Sequence, residues 1–371
     1  LKPIRVLVVD DSAVVRTLIA RVLGEAEGIE VVASASNGRI ALERIEEFEP
    51  DLVTLDIEMP ELDGLETIEA IRKRGWEFPV IMFSTLTEHG GEATMRALAL
   101  GASDYVAKPA NVGKVSEGIA AISSELVPKV YALCEKRTRP RPAAAKAPPP
   151  PPRKLRSGAD AGAAPPIDLL VIGSSTGGPQ ALSRLFSTLR PDLPCPIAIV
   201  QHMPPLFTRL FASQLDRASQ FRVYEAQDGM LMEPGCVYIA PGDYHMTVST
   251  TARVPKIALD QGEPENSCRP AVDTLFRSAA KAYRERTLAI VLTGMGVDGT
   301  GGARHIRDQG GRIVVQDEDT SVVWGMPGSI SRAGLADLTL PLGDIADWIW
   351  DQVARESRPG RDQKAAAGDP S

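Results

Sequence analysis

The chain has 371 residues, 43% hydrophobic and 24% charged, with a formal net charge of −7. This length predicts two domains, each able to bury its own core. The acidic balance, with no basic stripe outside one proline-rich stretch, argues against nucleic acid, and no apolar run approaches the roughly 20 residues that span a bilayer, so no direct membrane insertion is expected.

The N-terminal LKPIRVLVVDDS is too short in its apolar part, and too acidic after it, for a signal peptide. IRVLVVD, IEVVASA, DLVTLD, PVIMFS and SDYVAK read as five short strands, separated by segments with helical spacing such as Val14, Val15, Leu18, Ile19 and Val22. That alternation predicts a flavodoxin-like, doubly wound parallel sheet over residues 1–125, whose functional side chains gather outside the carboxyl ends of its strands. Residues 126–166 predict a helix end and a Pro/Ala-rich linker; the five prolines at 148–152 make it a semi-rigid spacer.

The same grammar returns over 167–356. IDLLVIGS, PIAIVQH, LAIVLTG and RIVVQD are near-continuous apolar runs, as in parallel strands covered on both faces. Helices are expected at 179–189, 206–218, 270–283 and 300–309. Residues 222–258, with short Gly/Pro-punctuated strands, predict a small antiparallel β excursion or edge, and 357–371 a disordered tail. The four cysteines (Cys134, Cys195, Cys236, Cys268) form no C-x-x-C pair, which predicts a reducing cytoplasm and neither disulfides nor a thiolate zinc site.

In the first domain Asp10 and Asp11 follow the first strand, and Asp56, Ser84 and Lys108 end the third, fourth and fifth. A parallel sheet brings all five to one edge. Clustered carboxylates repel unless a hard cation such as Mg²⁺ joins them. The local alternative is that Asp11 and Ser12 cap the first helix and Asp56 is a solvated strand terminus. VVDDS, LDIEMPELDGLE, MFSTLTE and GASDYVAKP together resemble the receiver domain of two-component response regulators, from residue 4 to 125. The resemblance implies that Asp56 accepts a phosphoryl group from a histidine kinase. It also implies Mg²⁺ held by Asp10, Asp11, Asp56 and the backbone carbonyl of Glu58. Lys108 would pair with the phosphoryl group, with Ser84 and Tyr105 at the switch positions.

VIGSSTGGPQ, 171–180, opens the second domain. A dinucleotide fold needs G-x-G-x-x-G and an acid about 20 residues on, but the next strand ends in Gln201-His202, and no Walker lysine is present. The stretch instead fits G-x-S-x-G between strand and helix, which presents Ser175 as a nucleophile on the positive end of that helix. The local alternative is a capping Ser175 or Thr176. Of four histidines, His89 is in the first domain, His305 sits among arginines on a helix, and His245 follows a short strand. His202 stands at the next strand end, beside Ser175, and is the candidate base. Asp298, in LAIVLTGMGVDGTGG, is the candidate orienting acid, its alternative being an Asp-Gly turn residue. The Gly294-Met295-Gly296 backbone offers an N–H near the reacting oxygen. Common α/β-hydrolases place the acid before the histidine in the chain, unlike this order.

IGSSTGGPQAL, QHMPPLFTRLFA, PGCVYIAPGDYHM, RPAVDTLFRSAA, LTGMGVDGTGG and VVWGMPGSI resemble the catalytic domain of the CheB methylesterases. That resemblance implies a Ser175–His202–Asp298 triad, with the Met295 backbone N–H as oxyanion donor and Thr176 nearby. It implies hydrolysis of glutamate γ-methyl esters on methyl-accepting chemoreceptors, without a cofactor for that step, and deamidation of receptor glutamines. The receiver would cover the site until a chemotaxis histidine kinase phosphorylates it. Ser174 stands where the family commonly has alanine. A binding or scaffolding output with a vestigial site, and a hydrolase of another ester, remain open; a DNA-binding output lacks a basic recognition helix.

Overall fold

The computed structural model describes residues 2–85, 87–108, 115–138, 165–251 and 254–354. Most of the expected linker and all of the expected tail lie outside the described residues. The first domain runs β1 (Ile4–Val9), α1 (Ala13–Gly24), β2 (Ile29–Ala35), α2 (Gly38–Phe48), β3 (Leu52–Asp56), α3 (Gly64–Lys73), β4 (Val80–Ser84), α4 (Glu88–Ala99), β5 (Asp104–Ala107) and α5 (Val115–Thr138). Its sheet has the order β2-β1-β3-β4-β5, with every pair parallel. The order reverses between β1 and β3, so a crevice opens at their carboxyl ends, where Asp10 and Asp56 stand. Local chemistry sets the helix starts. Ser12 Oγ accepts the Val15 N–H at 3.4 Å to cap α1, and Asp63 and Glu66 form a reciprocal capping box on α3.

The second domain runs β6 (Leu169–Ser174), α6 (Gly178–Thr188), β7 (Ile197–Gln201), α7 (Pro205–Ala218), β8 (Arg222–Glu225), β9 (Cys236–Ile239), β10 (His245–Thr251), β11 (Val254–Asp260), α8 (Val272–Tyr283), β12 (Thr287–Val291), α9 (Thr300–Asp308), β13 (Arg312–Gln316), α10 (Met326–Arg332), β14 (Leu338–Leu340) and α11 (Leu342–Ala354). Seven strands form one parallel sheet, β14-β13-β12-β6-β7-β9-β8. β6 and β7 are buried along their whole length, as their unbroken apolar runs require. The chain leaves β6 toward β7 and later returns to its other side with β12, so β6 lies at the switch point.

Within 222–258 only part of the chain is antiparallel. β8 and β9 join the edge of the main sheet as parallel strands, and the antiparallel pair is β10 with β11. Val223 and Val237 face the core, so these short strands still bury enough to extend the sheet.

The domains meet through one continuous apolar cluster that contains Met95, Ala97, Leu98 and Tyr105 on one side and Phe207 and Phe211 on the other. The Tyr105 and Phe207 rings stack with centroids 4.6 Å apart. A Cβ at Gly91 would stand 2.6 Å from Leu210 Cδ1, so the bare glycine gives the Leu210 side chain of α7 its room against α4. Gln180 Nε2 donates to Leu98 O at 2.9 Å and also to Ala102 O. Among the described residues no helix is long and apolar enough to cross a membrane.

Candidate active site

β6 delivers Ser175 into a strand–turn–helix corner. Gly177 caps α6 at φ +76, and a Cβ there would lie 2.6 Å from Val322 Cβ, so the corner demands glycine twice over. Opposite, a Cβ on Gly294 would stand 2.9 Å from Ser175 Cβ. The backbone after β12 thus passes directly against the serine. The Ser175 carbonyl accepts from Gly178 N at 2.7 Å and from Gln201 Nε2 at 3.0 Å. Gln201 is itself held by Ser174, whose buried hydroxyl donates to Oε1 at 2.7 Å. Ser174 therefore helps fix the nucleophile turn. The Ser175 hydroxyl is half-buried and makes no hydrogen bond among the described residues.

His202 follows β7, and its Nε2 lies 2.8 Å from Asp298 Oδ2. Asp298 is 2% exposed. Beyond His202, its oxygens accept from the Val272 N–H (2.7 Å), the Asp273 N–H (3.0 Å), the Gly299 N–H (2.9 Å) and Asn266 Nδ2 (2.9 Å). It thus caps α8, whose own N-cap position, Ala271, has no side chain to do so. Burial opposes ionisation of Asp298, but the hydrogen bonds from His202, Val272 and Asp273 hold its carboxyl below the ordinary carboxylate range. Asp298 is at once the turn residue ahead of α9 and the cap of α8.

The ring of His202 is pulled two ways. Burial favours its neutral form, yet the bonds to Asp298 and Cys268 outweigh that and push it up to about 9. Nε2 is taken by Asp298, which leaves Nδ1 on the other side of the ring. Cys268 Sγ stands 3.6 Å from Nδ1. Ser175, Thr176, His202, Cys268 and Met295 line one cavity of about 620 Å³. The Met295 N–H has no partner among the described residues. The Thr176 hydroxyl is engaged: it donates to Asp104 Oδ2 of the first domain at 2.8 Å. Asp104, Tyr105 and Lys129 wall the same cavity, so the first domain lies across the mouth of the serine site.

The other histidines are structural or exposed. His245 is buried, with Nε2 on Glu263 O at 2.9 Å and Nδ1 accepting from Ala271 N at 3.3 Å. His89 and His305 are exposed.

In the first domain the carboxylates of Asp10, Asp11 and Asp56 each place an oxygen within 4.8 Å of the others. Lys108 Nζ reaches Asp56 Oδ2 at 2.6 Å and Asp10 Oδ2 at 3.0 Å. Apart from that ammonium, these two buried oxygens have no hydrogen-bond partner among the described residues. Burial pushes Asp56 up to about 6, with the Lys108 hydrogen bond pulling the other way. Buried, under-satisfied hard oxygens are what Mg²⁺ satisfies, so the residues fit that ion. The Ser84 hydroxyl donates to Gly90 O at 3.0 Å, at the start of α4, rather than to Asp56. Tyr105 is buried against Phe207 with Lys129 Nζ 5.2 Å above its ring.

Sequence reasoning missed Asn266, Gln201, Asp104 and Cys268. Asn266 and Cys268 stand in no motif, Gln201 and Asp104 stand in motifs read for other residues, and each is brought to its partner across a sequence separation of 27 to 72.

Two family models match. Response regulator receiver domain covers residues 6–120, and CheB methylesterase covers 170–349. A protein-glutamate methylesterase/protein-glutamine glutaminase of Nocardioides sp. is 52% identical over 95% of this chain and 96% of its own length. Those so named from Trichodesmium erythraeum (45%) and Caulobacter vibrioides (47%) each match 93% of this chain and 97% of their own. A serine, a histidine–carboxylate pair and a receiver face over their cavity thus come with similarity along nearly the entire chain: it belongs to the CheB methylesterase family, with a response regulator receiver domain ahead of the methylesterase domain.

Proposed function

We propose that this chain hydrolyses glutamate γ-methyl esters on the cytoplasmic helices of chemoreceptors, deamidates receptor glutamines at the same site, and is activated by phosphorylation of Asp56. Residues 1–125 would be the regulatory domain and 167–356 the catalytic one, working in the cytoplasm. The observation that carries the reading is that His202, backed by Asp298 at 2.8 Å, lines one cavity with Ser175.

His202 Nδ1 takes the Ser175 proton as Oγ bonds to the ester carbonyl carbon. The oxyanion is held by the Met295 N–H and, once released from Asp104, the Thr176 hydroxyl; one such donor is worth about 2.7–4 kcal/mol. The imidazolium then gives its proton to the departing methoxide, and methanol leaves. Water, deprotonated by His202, attacks the acyl-enzyme; the Oγ–acyl bond breaks, the imidazolium returns its proton to Ser175 Oγ, and a glutamate is freed. With a glutamine amide the same steps release ammonia.

On the receiver, Asp10, Asp11, Asp56 and the Glu58 carbonyl would hold Mg²⁺, which neutralises charge on the transferred phosphoryl group. Asp56 is the acceptor and Lys108 the fixed countercharge. Ser84 and Tyr105 link that edge to the face on α7. Asp104 and Gln180 clamp the resting arrangement.

The test measures methanol release from methylated receptor with and without a small phosphodonor and Mg²⁺. Stimulation in the wild type and none in Asp56→Ala is the expected result; equal stimulation in both would sink the phosphorylation step. Gln180→Ala removes two interdomain hydrogen bonds, about 0.5–1.5 kcal/mol each. It is expected to raise release without phosphodonor, by up to the roughly 5–150-fold that 1–3 kcal/mol of coupling represents. The phosphorylated rate should stay as it is. Unchanged resting activity would mean that this contact does not clamp the site.

A further inference from the structure

We propose that Cys268 Sγ and His202 Nδ1 form a site for a thiophilic divalent cation, zinc above all, and that the bound ion shuts the esterase by taking the nitrogen needed by Ser175. The two atoms stand 3.6 Å apart. Tetrahedral zinc with Zn–S near 2.3 Å and Zn–N near 2.0–2.1 Å puts its sulfur and nitrogen ligands about 3.5 Å apart. The spacing of the two atoms therefore matches that of ligands to one ion.

The surroundings match as well. The other ring nitrogen of His202 is bound to Asp298, and a metal-ligating histidine almost always has such a carboxylate behind it. Asp298 is anchored by the N-terminal amides of α8, so the ring is held with its Nδ1 against Cys268, which lines the cavity with it. Cys268 is fixed too. Its backbone exchanges two hydrogen bonds with Glu265, at 2.9 and 3.0 Å, and Glu265 is paired with Arg277 at 2.6 Å. The remaining coordination positions open into the 620 Å³ cavity, where water can complete the shell. Cys134, Cys195 and Cys236 are buried, which leaves Cys268 as the accessible thiol.

Binding forms a Zn–S bond as the S–H proton leaves to solvent, and a Zn–N bond from the Nδ1 lone pair of the neutral ring; where the ring is protonated, its Nδ1 proton leaves to solvent as well. No electron is transferred, so a chelator reverses it. The inhibitory half of this inference rests on His202 acting as the base; the binding half does not.

The experiment uses the metal-free full chain. Co²⁺ or Cd²⁺ is added while thiolate-to-metal charge-transfer absorption is followed, and Zn²⁺ is titrated into the methanol-release assay with EDTA reversal. The wild type is expected to show the band, and saturating zinc to lower release by roughly 10²-fold or more, the cost of losing a general base. In Cys268→Ser and Cys268→Ala the band should vanish. The half-inhibiting zinc concentration should rise by at least the roughly 10–100-fold that even an outer-shell partner is worth. Comparing each variant with and without zinc cancels any change in its basal rate and any zinc at the Asp10/Asp11/Asp56 cluster. A band that is absent from the wild type, or survives in both variants, overturns the site. A Cys268-dependent band with undiminished release overturns the inhibition and moves the base away from His202.

Discussion

Ser175→Ala is expected to cut methanol release by roughly 10⁴–10⁶-fold, the range for removing a serine nucleophile that works with its base as a unit. The variant should fold as the wild type does. The Ser175 hydroxyl makes no hydrogen bond among the described residues, whereas the atoms that do hold the turn are kept. Those atoms are the Ser175 carbonyl, bonded by Gly178 N and Gln201 Nε2, and the Cβ packed against Gly294. Thermal melting alongside the assay separates chemistry from stability. An unchanged melt with lost activity assigns the hydroxyl to bond making. An active variant would transfer the attack to a water activated by His202, and the acyl-enzyme would drop out of the mechanism.

The parts of this site that stood in the sequence are those carried by strand ends. A buried parallel strand is an unbroken apolar run, so where the run stops the next polar side chain sits on the functional edge. Asp56, Ser84, Ser175 and His202 were all placed by that logic. Asp298 was placed too, but its helix was not: the amides it caps belong to α8, 25 residues earlier in the chain. No local pattern records a cap supplied from so far away. Nor does the absence of a C-x-x-C pair exclude a mixed thiol–imidazole pair such as Cys268 with His202, because their proximity comes from the loop before α8 and the end of β7. The parallel pairing of β8 and β9 was hidden for a related reason. A four-residue strand carries too few alternations to reveal its partner's direction, which the main sheet decides through Val223 and Val237. The interdomain face is the extreme case: Thr176–Asp104 and Tyr105–Phe207 bring together residues whose own motifs are silent about each other.

Asp298→Asn tests whether the carboxylate orients the base or only caps a helix, and its expected cost is about 10⁴-fold in rate, as for a triad acid replaced by its amide. The geometry says why. Oδ1 accepts from the Asp273 N–H, the Gly299 N–H and Asn266, while Oδ2 accepts from His202 and the Val272 N–H. An asparagine oxygen can replace Oδ1 only if its NH₂ faces Val272 and His202. The amide would then donate to Nε2, the ring proton would shift to Nδ1, and that nitrogen could no longer accept from Ser175. The Val272 N–H would also lose its acceptor, at about 1–3 kcal/mol for a buried group left unpaired, so the melting temperature should fall as well. The pH profile separates the two roles. The base must be neutral to work, and Asp298 with Cys268 raises His202 against the opposing effect of burial, to about 9. The rising limb of wild-type activity should therefore lie alkaline of the ordinary histidine value near 6.5. In Asp298→Asn the residual activity should begin its rise at lower pH and reach a far lower plateau. A variant that melts earlier yet keeps the wild-type plateau and limb would leave Asp298 as the cap of α8 alone, and another group would have to hold the imidazole.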